Sequence, residues 1–204
     1  MPMSENAART TKSESAKFLG LGALPVATTV VVAINALYIF LVAIGNITDY
    51  DTNKEFVVHV LSMDTTNFGG EPGQGLDPDV MWRAITNPTL QNLAYIGVII
   101  WESLAAIVLI AATVAWLRAA KSRSFDVPRR LSTIGLLMII ILFMGGFITV
   151  GGEWFQMWRS TAWNGLDPAF RNSVLAAFGL VLIHLPSPQW GRMADANAQG
   201  PLAR

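Results

Sequence analysis

Apolar positions in this chain gather into four long runs, separated by polar stretches dense in turn-forming residues. The clearest run, Leu93 to Leu117, reads LAYIGVIIWESLAAIVLIAATVAWL and contains one ionisable side chain, Glu102. A helix of about 20 residues crosses a hydrocarbon core, so this run is a membrane span. Phe18 to Ile47, Leu131 to Val150 and Pro168 to Leu185 are the other three. The first is too long for a signal-peptide core, and it ends in NITDYD rather than at a small-residue cleavage site, so it is read as a helix that stays. The pattern predicts an all-α fold, a four-helix transmembrane bundle with short outward-facing cap helices. Residues 1–17 read as a flexible cytosolic tail and 18–185 as the membrane domain. Its spans fall at about 19–47, 90–117, 131–150 and 168–185, with outer segments 48–89 and 151–167, and 186–204 form a second cytosolic tail.

The polar segments carry their own signals. Thr52-Asn53-Lys54-Glu55 fits a capping box that starts a short helix, FVVHVLSM. Phe56, Val57, Val60 and Leu61 make that helix apolar on most sides, so it lies on the membrane or inside a packed cap. DTTNFGGEPGQGLDPD is a loop by its Gly, Pro and Asp content. Met81 to Ile85 reads as a second short helix, and Asn87-Pro88 as the cap and first position of the second span. Asp167-Pro168 reads as the cap of the fourth. Gly20, Gly22 and Pro25 loosen the start of the first span, and Gly135, Gly145 and Gly146 permit close helix contacts in the third. Trp154, Phe155, Trp158 and Trp163 form an interfacial aromatic belt. No internal repeat or inverted symmetry is visible.

Composition supports the membrane reading: 52% of residues are apolar and 14% charged, where soluble domains carry about 25% charge. The absence of cysteine excludes disulfides, thiolate nucleophiles and iron–sulfur clusters. The zero net charge argues against a nucleic-acid partner and hides a segregation. The two tails and the 118–130 loop hold ten Lys or Arg against four Asp or Glu, whereas the other two connecting regions, with Arg171 just inside the fourth span, hold four against nine. By the positive-inside rule both termini are cytosolic and the 48–87 segment faces out.

TDYDTNKEFVVHVLSMDTT, MWRAI, the IIWES piece around Glu102 and GGEWFQMWRSTAWNGLDPAFR resemble a bacterial family of predicted small integral membrane proteins, a domain of unknown function. The resemblance covers roughly residues 25 to 185 and implies a four-helix protein of the bacterial plasma (inner) membrane. It carries over no activity, ligand or catalytic residue.

Glu102 is the oddest residue, because a charged group at mid-bilayer costs about 2.5–3.5 kcal/mol or more. At helical spacing it shares a face with Tyr95, Ala105 and Ala106, which suits packing against another helix. One reading makes it a proton or cation site; the other makes it a packing residue, protonated or bonded to Asn35, Tyr38 or Thr113. His59 and His184, the only histidines, fall at opposite membrane ends, which opposes a shared haem. His59 is expected to pair with Glu55, and His59, Glu55 and Asp64 are weak metal candidates. The Asp49-Tyr50-Asp51 start of a calcium loop fails at Lys54 and Val60, where Gly and Glu belong. Glu153, Arg159 and Arg171, beside Trp154 and Trp158, read either as an ion pair closing the bundle or as an outward pocket for an anionic or quinone-like ligand. No phosphate-binding loop, zinc-protease helix or hydrolase triad is present.

The leading functional reading is a non-catalytic accessory or scaffold subunit of a larger plasma-membrane complex, with no cofactor. Its partners are the lipid bilayer and other membrane subunits or further copies of the chain. The second reading is a small oligomeric transporter or ion-coupled permease using Glu102. The third is a redox anchor binding haem or quinone.

Overall fold

The computed structural model describes residues 22–122 and 124–190. The tail expected at 1–17, the first residues of the 19–47 span and all of the 186–204 tail beyond Trp190 lie outside these residues. Four helices are long and apolar enough to cross a bilayer: Leu24–Thr48, Pro88–Ser122, Asp126–Trp154 and Leu166–His184. We name the first α1, the second α3 and the last α5. Between α1 and α3 lies α2, Tyr50–Ser62, and the third span begins as α4, Asp126–Ile140. From Ile141 to Trp154 that span continues as a π segment, with its wider i to i+5 bonding. Short 3₁₀ turns at Met81–Arg83, Met157–Arg159 and Pro188–Trp190 complete the described secondary structure. All of it is helical, and the long helices form a bundle.

In the bundle α1 packs along α3, α3 along α4, and α4 with its π segment along α5, which returns to α1. The outward faces are apolar, as lipid requires: Ile34, Leu37, Ile107, Leu117 and Phe178 are all exposed. Polar side chains on the spans mostly bond back to their own helix. Asn35 Nδ2 donates to the Val31 carbonyl, and the Thr113 and Ser173 hydroxyls donate to the carbonyls of Leu109 and Ala169.

Close glycine contacts occur at both ends of the bundle, at Gly152 and Gly165 near the cap and at Gly135 and Gly179 toward the end that carries the basic 118–130 loop, the basic end. A Cβ added at Gly135 would lie 2.5 Å from Leu109, and one at Gly179 2.8 Å from Leu136. Both leucines are fully buried, so each glycine is the space its neighbour fills. Gly145 and Gly146 behave otherwise: a Cβ there meets nothing within 4 Å, so they are not contact glycines. Below the leucines, Trp116 donates its Nε1–H to Ser132 and packs with Phe125 and Trp190. Arg129 lies over Trp190 and bonds the Ile183 carbonyl, capping this aromatic cluster.

At the opposite, cap end, α2 begins two residues before the expected capping box. Thr52 sits inside its first turn and donates to Asp49 rather than capping the helix. The helix stops at Met63, which takes the left-handed conformation (φ 55°) while fully buried. Asn87 does cap α3, accepting the N–H groups of Thr89 and Leu90. The fourth span starts at Leu166, after Asn164 accepts its N–H, one residue before the expected Asp167 cap.

The Met81-Trp82-Arg83 and Met157-Trp158-Arg159 turns are a local correspondence that the sequence reading missed. The same triplet occurs twice, both copies are 3₁₀ turns, and each precedes a span running from the cap end. Each arginine also crosses to the other connecting region. Arg83 donates to the Trp154 carbonyl and lies over the Trp154 ring, while Arg159 pairs with Asp77 at 3.0 Å and lies over Phe68.

Candidate functional site

Asn46, on the last turn of α1, is the centre of the site. Only Asp49 separates α1 from α2, so the chain turns sharply and stacks Asn53 of α2 over Asn46. Asn53 Nδ2 donates to Asn46 Oδ1 at 2.6 Å, and Asn46 Nδ2 donates to Glu102 Oε2 at 2.7 Å. A polar thread therefore runs from Asn53, which is exposed, to Glu102, which is 2% exposed. Glu102 stands nine residues into the Leu93–Leu117 run, about 14 Å along the helix at 1.5 Å per residue. Among the described residues no Lys, Arg or His lies in ion-pair range of it. The Tyr95 hydroxyl makes a long 3.4 Å bond to the Asn46 carbonyl, and the Tyr95 ring packs on Tyr50, whose hydroxyl donates to Asn92.

These groups open on a chamber of about 220 Å³ between α1, α2, α3, the π segment and α5. Glu102, Asn46, Asn53 and Asn172 supply its polar lining; Tyr38, Phe56, Tyr95, Phe143 and Phe147 supply rings. The π segment places Phe143 and Phe147 in this wall. Where α4 passes into it, the Met138 carbonyl accepts a bond from the Trp101 indole of α3 at 2.9 Å. That bond ties the change of helical pitch to the helix that carries Glu102. Changes of this kind are uncommon and recur at functional sites. Two apolar spaces flank the chamber. A slot under α2 shares Phe56, Val57, Val98 and Phe147 with it. A groove between α1 and α5 shares Tyr38 and Asn172.

The remaining candidates fall elsewhere. Asn35 lines the α1–α5 groove but bonds Val31, and Thr113 bonds Leu109, so neither holds Glu102; Tyr38 shares its chamber. His59 Nδ1 bonds Asp64 at 2.9 Å and its ring stacks on Trp163, while Glu55 stands 3.9 Å from Nε2. Asp64, not Glu55, is thus its main partner. The two carboxylates face opposite ring nitrogens and do not converge, and among the described residues no group of three or more such side chains could hold a metal. His184 accepts or donates at Thr133, at the far end of the bundle. Arg159 pairs with Asp77, not with Glu153, and this contact holds the Asp77 carboxyl below the usual range. Glu153 and Arg171 are exposed. Trp154 meets Trp82 edge-on and Trp158 meets Phe68 the same way, each pair stacked with an arginine, while Trp163 stacks on His59 and Phe155 is buried, so the expected belt is divided among separate contacts.

Residues 24–186 match the family described as predicted small integral membrane protein, DUF2165. The chain belongs to that family. It is an integral membrane protein, and the family's function is unknown. No curated protein and no solved structure matches it.

Proposed function

We propose that this membrane protein binds a proton or a cation at Glu102, reached from the cap end through Asn53 and Asn46. One observation carries the reading: a buried carboxyl faces a chamber with a single amide donor and, among the described residues, no cation in ion-pair range. An ionised carboxylate so placed is costly in hydrocarbon, and a proton or a bound cation completes the site. A residue serving packing alone gains nothing from a surrounding cavity. Toward the basic end from Glu102, Ala105, Ala106, Leu109, Leu136 and Ile139 belong to one buried apolar cluster. The ion-coupled permease reading requires a second state in which that cluster opens. The segregation of charge supports an orientation with the basic end in the cytosol and the chamber's cap end outside.

Infrared difference spectroscopy of the reconstituted protein tests this. A carbonyl stretch of a protonated carboxylic acid, absent in Glu102→Gln, should disappear on raising pH or adding a bound cation. A Glu102 signal insensitive to pH and to every cation tried would leave only a packing role.

The accessory-subunit reading draws support from a different place, the cap surface. Trp82 is 69% and Phe68 66% exposed there, beside the arginine-stacked turns. Mild-detergent purification from native membranes checks it: a stoichiometric partner lost on Trp82→Ala supports docking through this surface, and a homogeneous oligomer without other proteins argues against it.

A further inference from the structure

Beyond a proton or a simple ion, the lining of the Glu102 chamber specifies a chemical class of ligand. Resting on the reading of Glu102 as a cation site, we infer that the chamber takes a lipophilic organic cation, an ammonium carrying an apolar substituent, which enters from the bilayer between α1 and α5. Three features of the site carry this.

The first is the wall. A site for a small inorganic cation is built from several oxygens that replace the hydration shell. Here one carboxylate and three asparagines share the lining with five aromatic rings, from Tyr38, Phe56, Tyr95, Phe143 and Phe147. Ring faces attract cations that carry no tight hydration shell, and aromatic cages around an acidic group are how alkylammonium ions are recognised. The second is size. About 220 Å³ accommodates a substituted ammonium head and far exceeds what a lone dehydrated ion fills. The third is the approach. Tyr38 and Asn172 line both the chamber and the groove on the α1–α5 face. That groove is otherwise walled by Val31, Ile34, Ile139, Leu175 and Phe178, with Asn35 bonded back to Val31, so an alkyl substituent lies there in largely apolar surroundings while the head reaches Glu102. A hydrophilic ion has no use for this face; a membrane-dissolved cation arrives by it.

Binding needs no redox or covalent step. If Glu102 holds a proton beforehand, the cation displaces it, and one proton leaves for each ligand bound.

The probe is decyltrimethylammonium, compared with decanol and decyl sulfate of the same chain length and with thallous ion. Equilibrium binding to the intact detergent-solubilised protein is followed by calorimetry. Saturable binding of decyltrimethylammonium is expected, at least tenfold tighter than of decanol, and undetectable for decyl sulfate. Glu102→Gln should weaken the ammonium at least tenfold while leaving the melting temperature within a few degrees. Phe147→Leu should weaken it several-fold through the lost ring. The comparison among ligands on the unaltered protein stands even where a variant fails to fold. Decanol binding as tightly as the ammonium overturns the inference in favour of a neutral, quinone-like occupant. Glu102-dependent binding of thallous ion without the ammonium overturns it while the cation site stands. Binding of neither cation in a Glu102-dependent manner removes both.

Discussion

The two halves of this bundle are built from the same apolar alphabet and pack differently. At the basic end, leucines fill the spaces left by glycines, Leu109 against Gly135 and Leu136 against Gly179, and an aromatic cluster around Trp116 closes the bottom. At the cap end Gly152 and Gly165 are filled in the same way, by Leu166 and Phe56, but the third span widens into a π segment whose Gly145 and Gly146 meet nothing. The chamber and the slot under α2 border that segment. Close packing is the default for helices in lipid, where association rests on van der Waals contact and interhelical hydrogen bonds. A half that joins a change of helical pitch to a buried carboxyl lining a chamber is shaped by something other than stability. Function is to be sought in the half that carries the buried carboxyl and its chamber.

The sharpest way to break the comparison is to empty or overfill each half. Leu136→Ala removes a fully buried side chain seated over Gly179, and thermal or denaturant unfolding in detergent should show a loss of about 2–5 kcal/mol. Gly135→Ala acts in the opposite sense, driving a Cβ to within 2.5 Å of Leu109, at an expected cost of about 1–3 kcal/mol. Gly145→Ala, on the same span in the open half, should be neutral or slightly stabilising. Equal losses at Gly135 and Gly145 would mean the two halves are equally packed.

How much of this was legible in the residues differs between the halves. The spans were legible because hydrocarbon demands long apolar helices, and Glu102 because a carboxylate inside one is conspicuous. Its partner was not. Asn46 lies in a run that reads as the frayed end of a span, and its seven-residue distance from Asn53 gains meaning only once the chain turns at Asp49. Asn35 and Thr113 looked equally able to reach Glu102, yet both satisfy their own helix carbonyls, the option lipid always offers a short polar side chain. Arg159 and Asp77 are 82 residues apart, and no local signal pairs them. The π segment left only its glycines, which read more naturally as contact points. The duplicated Met-Trp-Arg triplet was in plain view; its shared turn conformation was not.

Within the polar thread, Asn46→Ala and Glu102→Gln separate support from use. Asn46→Ala strands both Asn53 and Glu102, and a loss of about 1–3 kcal/mol is expected from unmade buried bonds. Glu102→Gln keeps an acceptor for the Asn46 amide and nearly the same volume, so unfolding should shift by less than about 1 kcal/mol. The order reverses for ligand binding, where Glu102→Gln should be the more damaging. A large stability loss in Glu102→Gln with intact binding would return Glu102 to the role of a packing residue.

The smallest effect belongs to the cap surface, where Arg159 and Asp77 clamp the two connecting regions. The Asp77 carboxyl is held below its usual range, first by the hydrogen bond from Arg159 and then by the Asp79 backbone N–H. A carboxyl lowered on folding contributes stability above its unfolded value and loses it as pH falls through the folded one. Protease protection of the 64–80 loop should therefore hold at neutral pH and weaken in acid below the ordinary carboxylate range. In Asp77→Asn it should be slightly weaker at neutral pH and lose that acid step. Added salt should mimic part of the change, because the pair is partly exposed and screened. An acid step that survives Asp77→Asn would assign the sensitivity to another carboxylate, with the Asp64–His59 contact on the same loop as the next to remove.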